Sequence, residues 1–194
     1  MNYPLDLSFK LMALAPQISV TDAAGRLVCF VRQKMFKLKE SVTVFADAAQ
    51  TQTLATINAD RVLDISARYD FTAADGRPLG SVKREGLKSI WKCHYEIYDA
   101  EKAVMTLRED NPWIKVADAA LMNIPFVGMF AGYVLHPSYT VTRPGGAPVL
   151  RLRKMPAFFE GKFRIERLAD LTPDEELRSL LSILMMTLLE RARG

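Results

Sequence analysis

The segment TPDEELRSLLSILMMTLLERARG, from Thr172 to the end of the chain, limits what the rest can be. It opens as a helix should. Thr172 is a good N-cap, Pro173 takes the first helical position and Glu175 completes a capping box. Asp174, Glu175 and Glu176 complement the positive end of the helix dipole, and Arg191 and Arg193 the negative end. Between Leu180 and Leu189 only Ser182 and Thr187 are polar, so a helix here is apolar on nearly every face and must be surrounded. A bilayer-spanning helix needs about 20 apolar residues, and this run, bounded by Arg178 and Glu190, is too short. The protein itself is the other solvent. A β-barrel wide enough to hold a helix covers all its faces at once, and each leucine or methionine buried there contributes roughly 1.5–3 kcal/mol. The expectation is a core helix over roughly residues 173–191 that plugs a barrel.

The wall of such a barrel is written as a repeat. ISVTDAAG begins at Ile18, YDFTAADG at Tyr69 and YTVTRPGG at Tyr139. Each phrase places threonine at its fourth position (Thr21, Thr72, Thr142) and glycine at its eighth (Gly25, Gly76, Gly146). A basic residue follows in each copy at Arg32, Lys83 and Arg153. The alternation before the glycine is that of a half-buried strand, and the glycine marks a turn that needs positive φ. Second strands follow (RLVCFVRQK, RPLGSVKRE, APVLRLRK), then basic turns, then third strands (SVTVFAD, KCHYEIYDA, KFRIERLAD). Two copies run on into a fourth, TLATINA and AVMTLRE. Short strands at regular spacing with turn signals between them indicate an all-β architecture. With 194 residues and 49% apolar content the chain can enclose a real core, and it is read as one domain over 1–194.

The opening YPLDLSFK, the phrase ISVTDAAGRLVCFVRQKMFKLKE, its second copy YDFTAADGRPLGSVKREGLKSIWKCHYEIYD and the final apolar helix together resemble the tubby C-terminal-like superfamily, most closely its LURP-one-related branch. Phospholipid scramblases and tubby are more distant relatives. The resemblance covers the chain apart from roughly residues 110–136. It implies a mainly β protein: a closed antiparallel β-barrel of about twelve strands threaded by a hydrophobic C-terminal α-helix. It also implies a setting at membranes, since tubby-type domains bind phosphoinositides and scramblases act on lipid. The cysteine-rich segment of scramblases has no counterpart in this sequence.

The second and third phrases lie farther apart than the first and second, and most of the difference falls in NPWIKVADAALMNIPFVGMFAGYVLHP. No charge occurs from Ala119 to Leu135, and Pro125, Gly128 and Gly132 interrupt any regular helix there. Three readings of this apolar insert stand. It could be a lid over one barrel mouth. It could dip into a membrane interface with Phe126, Met129, Phe130 and Tyr133, Trp113 resting at headgroup depth. It could be a self-association surface.

Catalytic chemistry is not spelled out. Cys93 and His94 are adjacent, and on a strand adjacent side chains point to opposite faces. Two histidines and two cysteines make no zinc pattern, and no Walker loop, G-x-S-x-G elbow or H-E-x-x-H motif occurs. The chain is read as a non-enzyme without metal or cofactor; an unrecognised site in the barrel mouth is the weakest reading. A net charge of +4 suits an anionic partner without demanding one, and no nucleic-acid partner is expected.

The basic residues cluster by unit. Lys34, Lys37 and Lys39 fall in the first basic turn; Lys83, Arg84, Lys88 and Lys92 in the second; Arg151, Arg153 and Lys154 in the third. In a barrel of repeated hairpins equivalent turns can gather at similar heights, and each Lys or Arg near an anionic lipid surface adds about 1 kcal/mol of attraction. The expected ligand-binding residues are Lys34, Lys37, Lys83, Arg84, Lys88, Lys92, Arg153 and Lys154. The expected function is peripheral binding to anionic phospholipid, a phosphoinositide included, by a cytoplasmic protein. The alternative is a soluble scaffold or protein-interaction domain that associates with a partner, or with itself, through the insert.

Overall fold

The structure is a computed structural model, and it describes residues 1–10, 17–32, 41–60, 67–85, 94–110, 137–156 and 160–191. Twelve strands form one closed antiparallel barrel. They are β1 (Leu5–Lys10), β2 (Gln17–Thr21), β3 (Leu27–Arg32), β4 (Ser41–Phe45), β5 (Thr53–Ala59) and β6 (Arg68–Ala73). Then follow β7 (Pro78–Arg84), β8 (His94–Asp99), β9 (Lys102–Glu109), β10 (Ser138–Thr142), β11 (Pro148–Met155) and β12 (Glu160–Arg167). Each strand pairs with its neighbours in sequence, and β1 closes the ring against β12, Leu5 opposite Ile165 and Leu7 opposite Phe163. The repeat explains the number. Two units supply four strands each and the third supplies three, so β1 takes the place of the missing fourth.

The three phrases build the same turn. Gly25, Gly76 and Gly146 have φ of 76°, 85° and 89°. Their amides donate to the carbonyls of Asp22, Ala73 and Arg143, at 2.8, 2.9 and 3.0 Å. Each ladder shifts register at the threonine, between Val20 and Thr21, Phe71 and Thr72, Val141 and Thr142. The glycine turn is the three-residue hairpin connection that strand twist favours, and the register shift is a separate bulge three residues past each glycine, at Val28, Leu79 and Val149.

The helix, α1 (Pro173–Arg191), runs through the cylinder. Every residue from Arg178 to Leu188 is buried, so the wall surrounds it on all sides. Leu181, Leu184 and Met185 are wholly inaccessible and meet Leu7, Val20, Val44, Phe71, Ile97 and Leu107 in one core. The two polar residues in the apolar run satisfy themselves: Ser182 Oγ donates to the Arg178 carbonyl and Thr187 Oγ1 to that of Ile183, both at 2.8 Å. The capping box forms as the sequence indicates, with the Thr172 amide donating to Glu175 Oε2 at 2.9 Å and the Glu175 amide to Thr172 Oγ1 at 3.3 Å.

Three acids of the first helical turn are each tied to a different part of the barrel. Arg77 of the β6–β7 turn reaches Asp174 at 3.1 Å, Arg143 of the β10–β11 turn reaches Glu175 at 3.0 Å, and the amino group of Met1 reaches Glu176 at 3.0 Å. One turn deeper, the buried Arg178 pairs with Asp99 at 3.0 Å and its Nε donates to the Leu79 carbonyl. Leu79 is the extra residue of the β7 bulge, so its carbonyl lies out of the ladder. Gly80 makes room for this contact. It sits at φ +114°, and a Cβ there would run into the Tyr98 carbonyl oxygen and lie 2.6 Å from Arg178 Nε.

Candidate functional site

An antiparallel ring that follows sequence order sorts its connections by end. The five strand-to-strand turns β2–β3, β4–β5, β6–β7, β8–β9 and β10–β11 share one end with the start of α1; call it the turn end. The connections β1–β2, β3–β4, β5–β6, β7–β8, β9–β10 and β11–β12 leave from and return to the opposite end, the mouth. The sequences at the two ends differ sharply. The turns read DAAGR, ADAAQTQ, ADGR, AE and RPGGA, with nothing apolar larger than alanine or proline. All six mouth connections carry bulky apolar residues, from LMALAP to PAFF. The connections, residues 11–16, 33–40, 60–67, 85–93, 110–137 and 156–159, together hold seven Lys or Arg (Lys34, Lys37, Lys39, Arg61, Lys88, Lys92, Lys115) and six acids (Glu40, Asp60, Asp64, Glu85, Asp110, Asp118). Five of the bases fall in two of them, after β3 and β7, as Lys34, Lys37, Lys39, Lys88 and Lys92.

The first two basic turns follow β3 and β7, four strands apart in a ring of twelve; the third departs from the expectation, because the connection after β11, PAFF, has no basic residue and Arg151, Arg153 and Lys154 lie on the strand itself. The two turns therefore start from points about a third of the circumference apart at one height, rather than from one groove. Lys34, Lys37, Lys88 and Lys92 lie outside the described residues, as do Trp113, Phe126, Met129, Phe130 and Tyr133 of the insert. The strands that carry them are described, and all open at the mouth.

The candidate residues that are described do not act alike. Lys83 faces outward, half-buried, with Arg68 and Glu96 opposite it on the neighbouring strands. Arg84 points the other way and departs from the expectation of a surface residue. At 6% exposure it lies inside the mouth, 3.7 Å from Glu190 of α1 and over the ring of Tyr95. The Tyr95 hydroxyl donates to the same Glu190 at 3.1 Å, so a polar cluster ends the apolar core there. Arg153 is exposed on the outer wall, and Lys154 sits at the rim in register with Phe163.

Arg153 belongs to a shallow outer cavity of about 320 Å³ lined by Asp110, Ser138, Arg151, Arg153, Lys154 and Met155. β10 contributes Ser138 to it, and the other outward residues of that strand, Thr140 and Thr142, are hydroxyls too. Ser138 Oγ donates to Asp110 at 2.7 Å and closes the rim side. On the next strands Arg108 and Arg151 both register with Thr140, and Arg153 with Ser138. Sequence reasoning passed over Arg108, Ser138 and Thr140. The arginine at every second position of VLRLRKM marks one wall, but the strand facing it across β10 lies beyond the insert. Elsewhere on the wall the Glu96 hydrogen bond, with burial, pushes the Tyr98 hydroxyl up to about 12, and burial pushes the Cys29 thiol up to about 12. Among the described residues no group of three or more His, Cys, Asp or Glu is placed to hold a metal ion. No described helix is long and apolar enough to cross a membrane.

No curated protein matches this sequence. Among solved structures the chain is similar to an X-ray structure of a protein from Arabidopsis thaliana, with 14% identity, a TM-score of 0.49, and 97% of this chain and 91% of the other covered. The family model described as LURP-one-related matches residues 27–166, from the start of β3 into β12. The chain belongs to the LURP-one-related family.

Proposed function

We propose that this protein is a binding module, not a catalyst, that associates peripherally with anionic phospholipid membranes, mouth first. One observation carries the reading: every connection rich in lysine and in bulky apolar side chains springs from a single end of the barrel. A flat anionic surface can meet basic turns spaced around a rim all at once, which a ligand in one groove cannot. Each Lys or Arg within a Debye length of such a surface adds about 1 kcal/mol, and apolar side chains that enter the interface add area-dependent affinity. Lys34, Lys37, Lys88 and Lys92 are the headgroup contacts in this reading; Arg84, held inside the mouth, is not one of them.

Flotation with phosphatidylserine-containing and pure phosphatidylcholine vesicles tests it. Binding should require the anionic lipid, weaken strongly at 0.5 M salt, and fall roughly a hundredfold or more when the four lysines become glutamine, at about 1 kcal/mol each. Equal capture by both vesicles, or an unaffected variant, would overturn the mechanism. The uncharged run from Ala119 to Leu135 favours a second reading, association with a protein partner or a second copy. Vesicle binding that is absent, with an oligomer in light scattering that dissociates when Phe126 and Phe130 become serine, would establish that one instead.

A further inference from the structure

We infer that the trough over β10 is a phosphomonoester site, separate from the mouth and independent of whether the mouth meets a bilayer. Its build is specific. β10 carries no charged residue, and its outward hydroxyls Ser138 and Thr140 form a low floor. Arg108 on β9 and Arg151 on β11 stand opposite each other across Thr140, two strand spacings or about 10 Å apart at the backbone. Neither has an ion-pair partner among the described residues. Arg153 stands beside Ser138, with only a long 3.8 Å approach to Glu166.

This arrangement stands out against the adjoining strands. Arg153 and Arg164 face each other directly on one outer surface, and like charges so placed destabilise a sheet. Arg164 is neutralised by a forked contact to Asp6 at 2.9 and 3.3 Å; Glu166 stands in register with Arg151 but reaches only Arg153, at 3.8 Å, and among the described residues no carboxylate pairs with Arg108. Three guanidinium groups thus flank a hydroxyl floor, and the carboxylate in register beside them is that of Glu166, on the far side of β11. All three are arginine, whose planar fork fits tetrahedral and planar oxyanions better than the point charge of lysine. A doubly charged phosphomonoester has oxygens enough to take a fork from each wall and a hydroxyl from below. The cavity itself reaches Asp110, Ser138, Arg151 and Arg153; Thr140 and Arg108 lie in register next to it, away from the rim, and Asp110, held by Ser138, favours an anion seated toward them.

The same group could arrive as a free phosphate compound or on a lipid, and the test separates these. Inorganic pyrophosphate titrated into the full chain by calorimetry should bind saturably at one site. Arg151→Gln with Arg153→Gln should weaken it at least about tenfold, whereas Lys83→Gln, a third of the ring away, should change it less than about twofold. In the unmodified chain the amide resonances of Ser138 and Thr140 should move on titration, a readout independent of how the variant folds. Absence of saturable binding, an unchanged double variant, or shifts spread over the wall rather than focused on β10 would each overturn the site. Phosphatidic acid vesicles captured in preference to phosphatidylglycerol vesicles of equal charge, with that preference lost in the double variant, support the site and make lipid its source. Pyrophosphate binding with no such preference supports it with a free ligand. Because the variant lacking Lys34, Lys37, Lys88 and Lys92 keeps the trough, its pyrophosphate binding should persist even where vesicle capture fails.

Discussion

The two ends of this barrel obey different rules. At the turn end every connection is short, hydrogen-bonded to itself and free of large apolar residues, and the helix is fastened there. Arg77, Arg143 and Asp99 come from three different turns or strand ends to grip Asp174, Glu175 and Arg178. At the mouth the connections are longer and greasier, and they hold the lysines. One end fastens the fold and the other carries the basic and bulky apolar connections, the division that places function on connections carried by a rigid scaffold. The contrast also shows why the helix enters from the turn end. Its acidic first turn needs arginines at fixed positions, and only the tight turns supply them.

The sharpest way to break this comparison is Gly80→Ala. The added carbon would displace both the Tyr98 carbonyl and the Arg178 side chain, at a backbone conformation that L residues rarely adopt. The loss should be about 4 kcal/mol or more by denaturant unfolding. The four-lysine glutamine variant at the mouth should stay within about 0.5 kcal/mol of the unmodified chain, as surface substitutions do. A mouth variant that destabilises as much as Gly80→Ala would erase the distinction.

A middle-sized effect sharpens it. Thr172→Ala removes one half of the capping box while leaving Arg143 on Glu175. It should cost about 1 kcal/mol, read as a lower melting temperature with unaltered vesicle binding.

The smallest effect is with acid. The Arg26 hydrogen bond holds the Asp22 carboxyl below its usual value of 3.8, and the Thr51 hydroxyl and amide do the same for Asp47. Burial alone would raise Glu175, but the Thr172 amide and Arg143 outweigh it and bring it below 4.5. A carboxyl lowered in the folded state adds stability above its unfolded value and loses it as pH falls through the folded one. All three sit at the turn end. Amide exchange there should accelerate below about pH 4, while amides in the middle of β8 and β9 keep their protection. Uniform loss along the strands would refute the localisation.

Much of this was legible from residues alone. The glycine turns, the capping box and the all-round apolar helix are local patterns, and each forms as the sequence indicates. TLATINA became β5 without a residue's difference. Arg84 was misjudged because the bulge at Leu79 resets the alternation of β7, which turns Val82 and Arg84 to the interior and Lys83 outward. No turn chemistry in RPLGSVKRE announces that shift. The trough was hidden for a different reason. Arg108 and Arg151 meet across Thr140 only because β9 and β10 pair in one register, across a connection of more than two dozen residues that fixes no register by itself. The spread of the basic turns around the rim likewise needs the ring to close at twelve.

The seam between β1 and β12 carries one more consequence. Leu5 waits for Ile165, so every strand between them must leave the ribosome before the cylinder can seal. Until then its oily inner wall has no lining, and α1, which supplies that lining, emerges last of all the elements. Closure is thus governed by contacts of high sequence separation, the kind that form slowly and leave apolar surface exposed in the meantime.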